Sequence, residues 1–130
     1  MNLIDTHVWI WLIRDPDKIS EKARQALDKD DQIGISVISC WEICLLCAKG
    51  RLNLEIPAVE WIHRAKQQHS IYMLQLDEMI ASIAGSTQPL DWTHPDPADR
   101  LIVATARSLD LPLITADQTI QRYPGVTTIW

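Results

Sequence analysis

Ile33-Gly34-Ile35-Ser36-Val37-Ile38-Ser39-Cys40-Trp41-Glu42-Ile43-Cys44-Leu45-Leu46-Cys47-Ala48-Lys49-Gly50 is the stretch on which the fold turns. Ile33 to Ile38 is a short apolar run of strand length. Ser39 is of the residue type that caps helices. Cys40 through Lys49 is then a nearly all-apolar helical stretch that Gly50 stops. A buried strand running straight into a buried helix is the unit of an α/β fold with a mainly parallel sheet.

The same alternation extends in both directions. Towards the N-terminus, Asn2-Leu3-Ile4 reads as a strand leading into Asp5. Thr6 to Ile13 then reads as a helix ended by Asp15-Pro16-Asp17. Ser20 to Lys29 is an amphipathic helix, capped by Ser20 and apolar at Ala23, Ala26 and Leu27. Towards the C-terminus come a helix over Pro57 to His69, a strand over Ile71 to Leu76 and a short helix capped by Asp77 and reaching about Ala84. Gly85 to Pro95 reads as loop. Asp96-Pro97 opens a helix through Leu109, with proline at its first position. Leu111 to Thr115 is a fourth strand, succeeded by a short helix after Asp117 and a terminal strand near Thr128-Ile129. With no repeat or linker, residues 1–130 read as a single domain.

Composition bounds the function. Of 130 residues, 47% are hydrophobic, enough for a normal core, with six Trp offsetting the absence of Phe. The net charge of −5 argues against a protein that coats nucleic acid electrostatically. It is compatible with a nuclease that grips its substrate through a bound cation. The first residues carry no basic leader, and apolar runs such as Val8 to Ile13 are too short to span a bilayer. Three cysteines, close together at 40, 44 and 47, fit a reducing, cytoplasmic setting. Their spacing is that of a helical core stripe, and a zinc site would want a second pair that the sequence lacks.

The chemistry lies in the acids. Asp5 falls just past the first strand, Glu42 in the first turn after the second, Asp99 in the first turn of the helix before the fourth, and Asp117 just past the fourth. Ligands of open α/β sheets bind beyond the carboxyl ends of the strands, so all four can face one edge. Each also has a plainer role. Ser39 to Glu42 has the form of a capping box, and Asp5, Asp99 and Asp117 all suit helix starts. Such caps are worth about 0.5–2 kcal/mol each. Two considerations weigh against capping alone. Glu42 heads a helix that must be largely buried, where an unpaired carboxylate is costly. Carboxylates about 4 Å apart repel by on the order of 4 kcal/mol at intermediate dielectric. A hard, oxygen-seeking cation such as Mg²⁺ or Mn²⁺ relieves both and leaves room for a phosphate.

Other residues are assigned lesser roles. His7 follows Asp5-Thr6 and is near enough to approach the site, but reads first as packed or hydrogen-bonded locally; His94 reads as exposed beside Pro95, and His63 and His69 carry no visible chemistry. Arg100 reads as a structural partner of an acid such as Asp96, with phosphate contact the minority reading. Lys49 and Arg51 read as solvated charges, with RNA contact the minority reading. Trp9 to Ile13 is more apolar than one helix face needs, so it is either fully buried or an interface. Trp92 is either an interface anchor or a stacking platform for a base.

Leu3-Ile4-Asp5-Thr6-His7, Ser39 to Glu42, Asp96-Pro97-Ala98-Asp99-Arg100-Leu101-Ile102-Val103-Ala104-Thr105-Ala106 and Leu113-Ile114-Thr115-Ala116-Asp117 together resemble the PIN domain, and more closely the VapC-type toxins of prokaryotic toxin–antitoxin pairs. The likeness runs from residue 3 to about residue 117, and the segment from Asp96 to Ala106 is its most specific part. The resemblance implies a three-layer α/β/α fold and a Mg²⁺- or Mn²⁺-dependent ribonuclease. It also implies a homodimer and an antitoxin partner. It places the four acidic positions at Asp5, Glu42, Asp99 and Asp117, a nearby hydroxyl at Thr115 and a further acid at Asp96. On this reading Asp5 and Asp99 hold the main ion, while Glu42 and Asp117 complete its shell or help hold a second. The alternatives are a non-catalytic, receiver-like signalling domain and a PIN-type DNA nuclease. The first would want paired acids after strand one and a lysine near the end, whereas no Lys lies beyond Lys66. The second would want added segments that this short chain lacks.

Overall fold

The computed structural model describes residues 1–86 and 90–130. Five strands, β1 (Asn2–Ile4), β2 (Ile33–Ser36), β3 (Ile71–Leu74), β4 (Leu113–Ile114) and β5 (Thr128–Ile129), form one sheet in the order β3-β2-β1-β4-β5. Every pairing is parallel. The chain builds outward from β1 in one direction through β2 and β3, and in the other through β4 and β5. The switch point therefore lies between β1 and β4, where an open α/β sheet forms its crevice.

Successive strand residues face opposite sides, so the sheet carries two cores. Ile4 and Ile114 point into one, with Val8 and Trp9 of α1 (Thr6–Arg14), Ala23 and Leu27 of α2 (Glu21–Asp28), Ile43 of α3 (Val37–Ala48) and Trp61 of α4 (Ala58–Lys66). Their sheet neighbours Leu3 and Leu113 point into the other, with Ile102 and Val103 of α6 (Pro97–Ser108) and Ile120 of α7 (Gln118–Arg122). A third cluster joins Ile80 and Ala84 of α5 (Glu78–Gly85) to Ala104 of α6. The result is the three-layer α/β/α arrangement. Trp9 is fully buried, edge-on to Trp61 with ring centroids 5.5 Å apart, so tryptophan supplies the aromatic bulk that phenylalanine commonly does.

The apolar stretch of α1 divides by face. Val8, Trp9 and Ile10 are buried, whereas Trp11, Leu12 and Ile13 are half-buried, and the Trp11 ring rests on His7 and Trp130. The three cysteines are free and half-buried. Burial pushes the Cys40 thiol up, away from a reactive thiolate.

The second strand and its helix differ from the sequence expectation. β2 ends at Ser36, whose side chain accepts from the Ile38 amide at 3.3 Å, and α3 begins at Val37. Val37 and Ile38, which read as strand, form the first helical turn because tertiary packing outweighs β propensity. Ser39 is therefore not the cap. It is buried inside the helix, and its hydroxyl accepts from the Thr6 hydroxyl at 2.9 Å. Other boundaries contract: β3 stops at Leu74, β4 is only Leu113–Ile114 and α4 stops at Lys66. In the expected loop over Gly85 to Pro95, Gly85 ends α5, and Thr87, Gln88 and Pro89 lie outside the described residues.

Candidate active site

Asp5 leaves the end of β1 and caps α1. Its Oδ1 accepts from the Thr6 amide and its Oδ2 from the Thr115 hydroxyl, both at 2.7 Å, and the residue is only 2% exposed. Parallel pairing of Ile4 with Ile114 brings Thr115 there across 110 residues of chain. His7 Nδ1 lies 3.6 Å from Asp5 Oδ2, while the Ala116 amide donates to Nε2 at 3.3 Å. With Nε2 accepting, the neutral ring carries its proton on Nδ1, facing the Asp5 carboxylate.

Glu42 is the sixth residue of α3, one turn too late for a capping box. With the capping role gone, its carboxyl points into a cleft where, among the described residues, Oε1 is buried without a hydrogen-bond partner. Burial pushes its pKa up; the Thr6 hydroxyl pulls against this, and Asp5 and Asp96 add to it.

Asp96 caps α6, accepting from the Asp99 amide at 3.0 Å. Asp99, one turn on, has its Oδ2 2.7 Å from His94 Nε2. Its pKa is pushed up to about 7 by burial, with the His94 hydrogen bond opposing and the charges of Asp5, Asp96 and Glu42 adding. Asp117 caps α7, accepting at Oδ1 from the Thr119 and Ile120 amides at 2.8 and 3.2 Å. Its own amide donates to the Thr115 hydroxyl at 3.0 Å.

The fold brings Asp5, Glu42, Asp96, Asp99 and Asp117 to one cleft of about 260 Å³, beside Thr6 and His7. Within it, oxygens of Glu42, Asp96 and Asp99 lie within 4.8 Å of one another. The emphasis differs from the sequence expectation. Asp96, read as an accessory acid, joins this trio, whereas both oxygens of Asp5, read as a main ligand, already accept hydrogen bonds.

Sequence reasoning missed His94. Expected in an exposed position, it is instead largely covered, its side chain 18% exposed and its ring stacked on Trp92 at 4.5 Å. Trp92 in turn stacks on Tyr123 at 4.9 Å, and the Tyr123 hydroxyl donates to the Leu90 carbonyl. Trp92 thus has an internal packing role besides the two that its sequence context suggests. The one available signal was the run His94-Pro95-Asp96-Pro97, whose prolines stiffen the approach to Asp99. Arg100 is structural as expected, but its partners are not acids. Its guanidinium donates to the carbonyls of Ala84 (2.7 Å), Ser86 (2.9 Å), His94 (3.1 Å) and Trp92, holding both ends of the segment that precedes the site.

A parallel α/β/α sandwich with carboxylates gathered at its switch point is the class that fold and cleft define. The family model described as PIN domain matches residues 3–126, and the chain belongs to that family. It is 31% identical over 131 residues to Ribonuclease VapC22 of Mycobacterium tuberculosis, a match spanning 98% of this chain and 97% of the relative. Two solved structures share the fold. A DNA-bound VapBC from Salmonella typhimurium superposes with a TM-score of 0.69 at 21% identity, covering 98% of this chain and 97% of that one. FitAcB from Neisseria gonorrhoeae superposes with a TM-score of 0.66 at 25% identity, covering 98% and 96%. Among the described residues no helix is long and apolar enough to cross a membrane.

Proposed function

We propose that this protein is a Mg²⁺- or Mn²⁺-dependent endoribonuclease, the toxin of a toxin–antitoxin pair, cytoplasmic and homodimeric, with its own antitoxin as partner. The likeness to a VapC ribonuclease and to VapBC complexes supports the toxin reading. The observation that carries the metal dependence is Glu42. Among the described residues its buried Oε1 lacks a hydrogen-bond partner, in a cleft shared with four other acids. Burial raises Asp99 and Glu42 most, with the neighbouring acids adding to it, and a divalent ion held there would offer the buried oxygen a partner and offset both. The donor set is all carboxylate oxygen, which suits a hard cation.

Glu42, Asp96 and Asp99, whose oxygens lie within 4.8 Å of one another, would hold it, with Asp5 beside them. Asp5 is held rigid by Thr6 and Thr115, and Asp117 braces the same Thr115 hydroxyl. An ion held there would supply charge neutralisation at a phosphate and acidify nearby water. The protein's part is to orient the carboxylates of Glu42, Asp96 and Asp99 beside Asp5.

The test is cleavage of RNA with Mg²⁺ or Mn²⁺, alongside calorimetric titration of Mn²⁺. Substituting Asp5 or Asp99 with Asn is expected to abolish cleavage, and Glu42→Gln to weaken Mn²⁺ binding as well. Undiminished cleavage by these variants overturns the reading. Sequencing RNA ends after induction, wild type against Asp99→Asn, identifies the target.

A further inference from the structure

We infer that the groove beside the acidic cleft, floored by Trp41, is a nucleotide subsite for single-stranded RNA. Trp41 stacks a base next to the scissile phosphate, and Lys49 and Arg51 hold a neighbouring phosphate. The inference rests on the ribonuclease reading and names where the substrate lies.

Trp41 and Leu45 of α3 and its C-cap Lys49 are spaced by four and so form one stripe, next to the Glu42–Leu46 stripe that faces the acids. Across from them, Pro97 and Ala98 begin α6 and close a groove of about 260 Å³. The groove and the acidic cleft share Glu42, Leu46 and Asp96, so they are continuous. A strand with a phosphate at the acids has this groove as an adjoining path.

The far end of the groove is positive. α3 closes with the Gly50 amide donating to the Cys47 carbonyl (3.1 Å) and the Arg51 amide to Leu46 (2.9 Å), with Gly50 at φ 68°. This is the Schellman arrangement, which needs a left-handed residue and here returns Arg51 beside Lys49 at the groove wall. Both side chains are exposed, and among the described residues neither is paired with a carboxylate. On a chain of net charge −5, two unpaired cations beside a half-exposed indole match a phosphate and a base. A purely apolar partner surface would leave them uncompensated.

The test is fluorescence anisotropy of a labelled single-stranded RNA of about 12 nucleotides. It uses Asp99→Asn protein, so that the RNA stays intact, with Mg²⁺ present. Replacing Trp41 with Leu keeps apolar area but removes the stacking face, and is expected to weaken binding roughly 5- to 100-fold. Trp41→Phe is expected to restore affinity to near the parent. Replacing Lys49 and Arg51 together with Gln is expected to lower the slope of log affinity against log salt by about 1.4. If neither change alters RNA affinity, the inference is overturned. The same holds if Trp41→Leu instead shifts the oligomeric state or antitoxin binding while RNA binding holds, which would make the face a protein interface. Wild-type protein that binds the RNA through these residues but never cleaves it would sink the ribonuclease reading and leave the subsite standing.

Discussion

His94 Nε2 lies 2.7 Å from Asp99 Oδ2, so a residue from the segment before α6 occupies one oxygen of an acid in the cleft. The ring is held from behind by Trp92 and, through it, Tyr123. Such partners of a metal-binding carboxylate fix its orientation, and their loss commonly costs about 10- to 100-fold in metal affinity or activity. His94→Ala is therefore expected to weaken Mn²⁺ binding and lower kcat/KM within that range, measured by calorimetry and by cleavage kinetics. His94→Gln, which keeps a donor, should recover part of the loss.

The acidic cleft makes the metal-free fold pH-sensitive. Asp99 ionises near 3.8 when unperturbed and near 7 in the fold. Between these values the folded state holds a proton that the unfolded chain has released, so stability falls as pH rises. The contribution is complete below about pH 4 and is lost progressively up to about pH 7. Urea midpoints of the metal-free protein should fall across that window, and saturating Mn²⁺ should flatten the slope because the ion binds the ionised form. Asp99→Asn should remove much of the slope without metal.

The same substitution should stabilise while it inactivates. Removing one of the crowded charges lifts the repulsion from Asp5, Asp96 and Glu42. The metal-free Asp99→Asn protein is expected to melt a few degrees higher than wild type near neutral pH, read by calorimetry.

Thr115 links two acids by donating to Asp5 and accepting from the Asp117 amide. Thr115→Val keeps the shape but leaves the buried Asp5 Oδ2 without that donor, at a cost of about 1–3 kcal/mol. Urea denaturation should show this loss, with a fall in cleavage. Thr115→Ser should retain both.

Arg100 is expected to matter for order and not for phosphate contact. Arg100→Ala leaves several carbonyls without their donor and should cost on the order of 2–3 kcal/mol. Faster hydrogen exchange between Ala84 and His94 would locate the effect. Arg100→Lys should rescue little, since one ammonium cannot replace the planar fork.

The sequence by itself determined the layers and the neighbourhood of the site. Apolar runs leading into caps placed β1, β2 and the helices after them, and the acids at Asp5, Asp99 and Asp117 stood at element ends that local signals mark well. The tertiary structure decided what depends on packing between distant segments. Val37 and Ile38 have strand propensity, yet they form the first turn of α3, a helix that packs on α1, α4 and α6, and that shift of three residues moved Glu42 from a capping position to one whose Oε1 is buried, among the described residues, without a hydrogen-bond partner. The pairing of β1 with β4 put the Thr115 hydroxyl on Asp5. A stack of rings from Tyr123 through Trp92 to His94 backs the His94–Asp99 contact, and no local pattern encodes its anchor on Tyr123. The acids were legible because strand ends are local features. Their distant partners were not: Thr115 reaches Asp5 only through the pairing of β1 with β4, whereas Thr6 and His94 lie close in sequence to the acids they meet.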